Sequence, residues 1–330
     1  MTPSGPQTDG PTPPGRVEGY TLPAMLDVTP SSVALQIGPI SVFWYGICYA
    51  VGLAFAGWII HREAKWRELR VDLLPNGMIV VAIAAVLGGR LYHVIDQWVL
   101  YRDDPIRIVL PPYTGLGAYG GIIVGTIVGI LYVRWKRQPV LAWADAIAPG
   151  LFAMQAVARW GNFFNQELYG PPTTLPWGIP IQCAHRIAAY ACPAGSDPAA
   201  TLGQHFHPLF LYESLSGLIG MLALIWIGRR LAARLRSGDL LLAFFIWYGA
   251  VRFVLETLRE NNWTFFGVPT AQIVAGAFIV GAAAVLLYRH RPGAPTDARP
   301  ATTDAQATDA QAATEAIERA GLDAPPTSTG

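Results

Sequence analysis

Between Ala158 and Gly170 the chain reads Ala-Arg-Trp-Gly-Asn-Phe-Phe-Asn-Gln-Glu-Leu-Tyr-Gly, which sets Arg159, Asn162, Asn165 and Glu167 at the end of a long apolar run. If that run crosses a bilayer, an unpartnered ionisable group in it costs roughly 2.5–3.5 kcal/mol on insertion scales, unless it stays at the water boundary. Other apolar runs hold Tyr45, Arg90 after Gly88-Gly89, Tyr119 before Gly120-Gly121, Glu213 after Tyr212, and the set Arg252, Glu256 and Arg259. At 100° per helical residue, that last set falls in a stripe about 60° wide. An i,i+4 ion pair would neutralise Arg252 with Glu256 and leave an arginine over. Arg90 can equally serve to hold a bundle together by pairing with a carboxylate on another helix. A guanidinium stays charged at any relevant pH, and its planar fork donates two parallel hydrogen bonds to a phosphate or carboxylate. The chemistry these residues suit is the grip of an anion.

The elements that must position them are membrane helices. Hydrophobic residues make up 52% of the 330 and charged residues only 14%, too apolar a balance for an ordinary soluble domain. Seven runs approach the length needed to cross about 30 Å of hydrocarbon, near 40–60, 74–96, 117–133, 140–160, 208–228, 239–257 and 269–288, the third being short. The expected fold is an all-α integral membrane protein with seven transmembrane helices and an irregular extracytoplasmic head over 162–206. Basic residues crowd alternate connections: Arg62, Lys65, Arg67 and Arg70, then Arg134, Lys136 and Arg137, then Arg229, Arg230, Arg234 and Arg236, then Arg289 and Arg291. The other connections hold Arg16, Arg102, Arg107, Arg186 and Arg259. The positive-inside rule puts the amino terminus outside and the carboxyl terminus in the cytoplasm.

Each span's direction then fixes a depth for its polar groups. Tyr45, Arg90, Tyr119, Arg159, Glu213, Arg252 and Glu256 all fall in outer halves, and the inner halves read as nearly pure hydrocarbon. An ion pathway would string polar groups through both halves and often shows inverted repeats. An intramembrane protease needs a Ser/His pair or two aspartates in facing spans, whereas Asp145 stands alone near the cytoplasmic entrance and reads as structural. The natural anion at lipid-phosphate depth is a phospholipid headgroup, and the partners expected are membrane lipids. A net charge of +1, without a basic stripe and interleaved aromatics, argues against nucleic acid.

Residues 1–39 lack the pattern of a cleavable signal and read as a flexible outer arm, so the first span serves as its own insertion signal. The connection 97–116, with Pro111 and Pro112, reads as irregular. Cys183 and Cys192 face an oxidising compartment in this topology, which permits either a disulfide or free thiols, and Cys48 reads as apolar filler. His205 and His207 complete no metal-ligand spacing, so no metal is expected. The Ala/Thr/Pro/Asp-rich tail, 291–330, reads as disordered.

The stretch Arg159–Gly170 closely resembles the signature of the prolipoprotein diacylglyceryl transferases. Further resemblance lies in Ile37-Gly-Pro-Ile-Ser-Val-Phe-Trp-Tyr-Gly46, in Gly88-Gly-Arg90, in His207-Pro208 with Tyr212-Glu213, and in Tyr248-Gly-Ala-Val-Arg252 with Glu256 and Arg259. It covers most of residues 37–290, and 40–290 is expected to form the seven-span membrane catalytic domain. The resemblance implies a seven-span enzyme of the bacterial plasma membrane. Its partners would be phosphatidylglycerol, whose diacylglyceryl group it transfers, and preprolipoprotein lipobox peptides, whose cysteine thiol receives it, with glycerol phosphate released and no cofactor used. Arg159 and Arg252 would hold the phosphate, while Asn162, Asn165 and Tyr45 orient the glycerol part, and Arg90, Gly170 and Glu213 would complete the lipid site. Glu167 and Glu256 would fix arginine geometry. Where the family often has a histidine before Gly-Gly, this chain has Tyr119. A free phenol, with pKa about 10, is a poorer base than imidazole at neutral pH. Tyr119, His93, Glu213 and the departing phosphate all remain as acceptors for the thiol proton.

Overall fold

In a computed structural model that describes residues 29–108, 115, 117–260 and 262–293, the apolar runs become helices: α1 (Trp44–Trp66), α2 (Leu74–Asp96), α3 (Ala118–Trp135), α4 (Val140–Ala158), a short α5 (Trp160–Phe164), α6 (Leu209–Arg230), α7 (Asp239–Glu256) and α8 (Thr270–Arg289). Prolines 139, 208 and 269 immediately precede α4, α6 and α8, where a missing N–H and a fixed φ are tolerated. Most of the arm (1–28), most of the tail (294–330) and both Pro111 and Pro112 lie outside the described residues.

Among the described residues, six helices are long and apolar enough to cross a membrane, α4 and α5 counting together. The sequence suggested seven. Helix α7 differs because its 18 residues include Asp239, Arg252 and Glu256, so its ionisable content exceeds that of an ordinary span. Residues 40–43, read as the start of the first span, are instead strand β2 (Ile40–Phe43), paired antiparallel with β1 (Val33–Ile37), and α1 begins at Trp44.

Helix α4 is central: it packs extensively on α1 and α6 and also touches α7, while α2 pairs chiefly with α3, and α7 with α8. Its buried neighbourhood includes Ile59, Ala148, Phe152, Ala153, Met221, Leu224 and Leu240. Lipid tails are as apolar as leucine, so close backbone approach rather than a hydrophobic drive must hold such helices together. Two glycines make that visible. A Cβ on Gly88 would lie 2.5 Å from Val124 Cβ and 2.6 Å from the Gly120 carbonyl oxygen, and one on Gly217 would lie 3.0 Å from the Phe152 carbonyl oxygen.

Long helices consecutive in the chain run antiparallel, so α1, α3, α6 and α8 start at one end of the bundle and α2, α4 and α7 at the other. The second end is not the near-pure hydrocarbon that the sequence suggested. Asp145 of α4 accepts N–H bonds from Gly238 (2.7 Å), Leu240 (2.9 Å) and Leu241 (3.2 Å), capping the exposed donors at the start of α7 from another helix. Asp239 meets Arg289 (3.0 Å) and His290 (2.7 Å) at the end of α8. Glu63, almost fully buried, is shared by Arg67 (2.9 Å) and Arg229 (2.8 Å). These three carboxylates are spent on partners that tie helix ends together.

At the first end, residues 165–208 form a small ordered head. Strand β3 (Ile179–Pro180) pairs antiparallel with β4 (His205–Phe206), and Phe163, Tyr169, Ile179, Ile181, Phe206 and Phe210 form a buried cluster beneath them. Cys183 and Cys192 are disulfide-bonded with Cα atoms 5.6 Å apart. Arg186 lies over the Phe206 ring and donates to the Ile181 carbonyl, to Gln204 Oε1 and to the Thr201 carbonyl. A hairpin of β5 (Thr264–Phe265) and β6 (Val268–Pro269) joins α7 to α8 at the same end.

Candidate active site

Arg159 stands at the junction of α4 and α5, where it terminates one helix and begins the next. The chain then reverses through Gln166 and Leu168, both at positive φ (52° and 55°), which non-glycine residues adopt uncommonly. Gln166 is held there by its buried amide, which donates to the Pro30 carbonyl (3.1 Å) and to Gln182 Oε1 (2.7 Å) and accepts from the Gln182 N–H (2.9 Å). This reversal returns Glu167 to Asn162, whose Nδ2 donates to Glu167 Oε1 at 2.8 Å, with Asn165 Nδ2 at 3.5 Å.

From there a chain of charge crosses three helices. Arg159 Nη1 reaches Asn162 Oδ1 (3.4 Å), and its Nε forms an ion pair with Glu213 Oε2 of α6. The other oxygen of Glu213 lies 3.5 Å from Arg252 Nη1 of α7. Arg252 pairs with Glu256 (2.8 Å), which is 3.8 Å from Arg259. Both glutamates are buried, while Arg159 and Arg252 keep 26% and 19% of their side-chain surface exposed. The set is thus arginine-facing on its open side. Among the described residues three guanidiniums meet two carboxylates, and the Oε2 atoms of Glu213 and Glu256 accept no well-directed hydrogen bond. Burial lowers the pKa of Arg259, and the nearby Arg252 lowers it further, against the opposing pull of Glu256 and Glu213. Arginine nevertheless remains charged.

Tyr45 packs on the signature glycine: a Cβ on Gly161 would come within 2.9 Å of its ring. Its hydroxyl donates to Tyr49 (3.1 Å). Gly170 is likewise pressed against His207, where a Cβ would lie 2.9 Å from the histidine Cβ.

Two sequence-derived candidates stand apart from this chain of charge. Arg90 donates to the carbonyls of Arg107 (2.9 Å), Ile108 (3.2 Å) and Gly115 (3.4 Å) and lies over the Tyr101 ring, so it secures the connection between α2 and α3. Tyr119, 69% exposed, tilts against Tyr92. Sequence reasoning also passed over Asn262 and Gln166, and it quoted Tyr212 within a motif without giving it a role. Asn262 donates to the carbonyls of Arg259 (2.8 Å) and Glu256 (3.3 Å) and closes the end of α7. Tyr212 accepts from Trp177 Nε1 (2.9 Å) and bonds His207 Nδ1 (3.0 Å). Gln166 sat inside the signature, flanked by residues that were singled out, and only its burial distinguishes it.

Comparison with known proteins bears on what this arrangement serves. Residues 32–288 match the family described as Prolipoprotein diacylglyceryl transferase. The chain is similar to proteins named phosphatidylglycerol–prolipoprotein diacylglyceryl transferase. One, from Bifidobacterium longum (strain DJO10A), is 37% identical over 281 residues, covering 82% of this chain and 88% of the relative. One from Streptococcus uberis is 34% identical over 266 residues, covering 80% and 97%. One from Trichormus variabilis is 34% identical over 255 residues, covering 76% and 87%.

Proposed function

The chain belongs to the prolipoprotein diacylglyceryl transferase family, and on that premise we propose that it transfers the diacylglyceryl group of phosphatidylglycerol to the lipobox cysteine of preprolipoproteins, the first step of lipoprotein maturation. The observation that carries the reading is the convergence of Arg159 and Arg252, from separate helices, on the buried Glu213. Without that carboxylate two like charges would repel; with it they are held at a fixed spacing.

In the reaction, the cysteine sulfur attacks the glycerol carbon that bears the phosphate. The S–C bond forms as the C–O bond breaks, and glycerol phosphate leaves. Negative charge builds on the departing phosphate oxygens, where guanidiniums already held in place need little reorganisation to stabilise it. Arg159 and Arg252 hold that phosphate. Asn162, Asn165 and Tyr45 orient the glycerol part, which brings the reacting atoms into line. Glu213, Glu256 and Glu167 fix the arginines and amides and transfer no proton. Gly170 lets His207 close against the signature loop. Tyr119 contacts the headgroup, Arg90 positions the connection beside it, and the thiol proton passes to the departing phosphate.

The same proposal takes all seven long helices as spans, α7 included, its ionisable residues being paired at both ends. The protein then lies in the bacterial plasma membrane with the amino terminus and head outside and the carboxyl terminus in the cytoplasm, as the distribution of basic residues favours. Incubating the purified protein with phosphatidylglycerol and a lipobox peptide tests the reading. A peptide mass increase equal to one diacylglyceryl group is expected. An unmodified peptide, under conditions where a relative of the family modifies it, would refute the assignment.

A further inference from the structure

Among the described residues, the hairpin between α7 and α8 exposes aromatic surface to an unusual degree. Trp263 is 80% exposed, Phe265 57% and Phe266 91%. Phe265 and Val268 face each other across the two strands, and the Phe265 and Phe266 rings meet at 4.5 Å. From Trp263 to Thr270 the segment carries no charge. Its tight turn has positive φ at both Phe266 (50°) and Gly267 (77°). Turns of that kind favour asparagine or aspartate before glycine, so a bulky apolar side chain at its tip runs against local preference.

The position of this tip is set covalently. Pro269 is both the last residue of β6 and the N-cap of α8, and Asn262 fastens the other strand to the end of α7. Strands of two residues reach about 7 Å at ~3.3 Å per residue. The headgroup zone of a bilayer is roughly 5–8 Å deep on each side of the hydrocarbon. The outward faces of the two helices below, with Phe253, Val254, Ile273 and Val274 all exposed, form a wall suited to lipid. A tip rooted at the top of that wall and unable to reach beyond the headgroups has one neighbour of matching chemistry.

We propose that the β5–β6 hairpin is an interfacial anchor whose aromatic side chains lie in the headgroup zone, Trp263 at its boundary with the acyl chains and the two phenylalanines further out. Trp263 and the two phenylalanines take the place there that amphipathic rings take in aromatic belts, and the hairpin holds the end of α7, with Glu256 and Arg259, at a fixed depth. The anchor concerns the bilayer itself and does not depend on which reaction the site performs.

The test uses Phe266→Cys and, separately, Trp263→Cys in the full chain, each labelled with a small environment-sensitive dye. Cys48 is buried and Cys183 is bonded to Cys192, so the introduced thiol is the reactive one. The protein is placed in phosphatidylcholine vesicles containing lipids spin-labelled either near the carbonyls or near the methyl ends. Blue-shifted emission, quenched severalfold more by the shallow label than by the deep one and shielded from aqueous iodide, is expected at both positions. Water-like emission quenched by iodide and by neither lipid would overturn the anchor. So would stronger quenching by the deep label, or shielding that appears only on adding a lipobox peptide, which would assign the surface to a polypeptide.

Discussion

Arg252 illustrates why guanidinium chemistry matters here. It contacts carboxylates on two helices, Glu213 and Glu256, so truncation removes the proposed phosphate donor and also takes a partner from two buried negative charges. Arg252→Ala should lower kcat/KM by about 100-fold or more, the usual scale for losing one preorganised donor to a developing charge. Arg252→Lys should restore only part of that, because an ammonium supplies a point charge without a fork. Equal rates for Lys and Arg at this position would remove bidentate recognition from the account. Tyr119 sits at the other extreme, exposed and outside the ion-paired set. Tyr119→Phe should keep turnover within about twofold, whereas loss of a general base costs about 100-fold or more. The arginines were legible in the sequence because an ionisable group in an apolar run demands a partner. Their partners were less so: Glu213 lies far along the chain from Arg159, and only folding shows that it serves Arg252 as well.

Elements position these groups through close contact and through the head. Gly161 has Tyr45 where a side chain would go, so Gly161→Val should displace the first helix from the signature, lowering kcat/KM strongly while the protein still inserts; an unimpaired Gly161→Val enzyme would show that this contact has no part in catalysis. The head has a covalent support in the Cys183–Cys192 bond, which closes a loop of sequence separation 9 and, by the chain-entropy relation, stabilises by about 2.5 kcal/mol. Reduction, or Cys192→Ser, should therefore increase protease cleavage within 183–206 without releasing the helices from the membrane. Two phenols add a pH dependence. Burial raises the pKa of Tyr169, and burial followed by the hydrogen bond to Glu260 raises that of Tyr190. A raised folded pKa stabilises below the unfolded value of about 10 and is lost as pH rises through the folded one. Thermal unfolding of the head should therefore shift to lower temperature as pH rises above about 10, and less so in a Tyr169→Phe, Tyr190→Phe variant. The long helices could be read from composition to within a few residues. The strands could not, because β3 to β6 are each two residues long and show no alternation; long-range pairing alone defines them. Nor could the order within the head, where Pro and Gly content suggested irregularity and a buried aromatic cluster supplies a core instead.

Across the whole molecule, polar groups are sorted between two ends. At one end Glu63, Asp145 and Asp239 are consumed in joining helices, and at the other the charges form an open, arginine-rich set. The sequence conveyed that asymmetry through span direction; it grouped Arg90 and Tyr119 with a set they stand apart from, and it misjudged the quiet side, since Glu63 and Asp239 sit at helix ends where an apolar average hides them. The account's central claim is that guanidiniums from separate helices act together on one lipid phosphate. A double-mutant cycle with Arg159→Ala, Arg252→Ala and the double variant, measured as kcat/KM for diacylglyceryl transfer to a lipobox peptide in phosphatidylglycerol vesicles, tests it most directly. Each single variant should lose about 100-fold or more, and the double should lose far less than the product of the two. A single variant working at the unmodified rate, or losses that multiply independently, would contradict the claim.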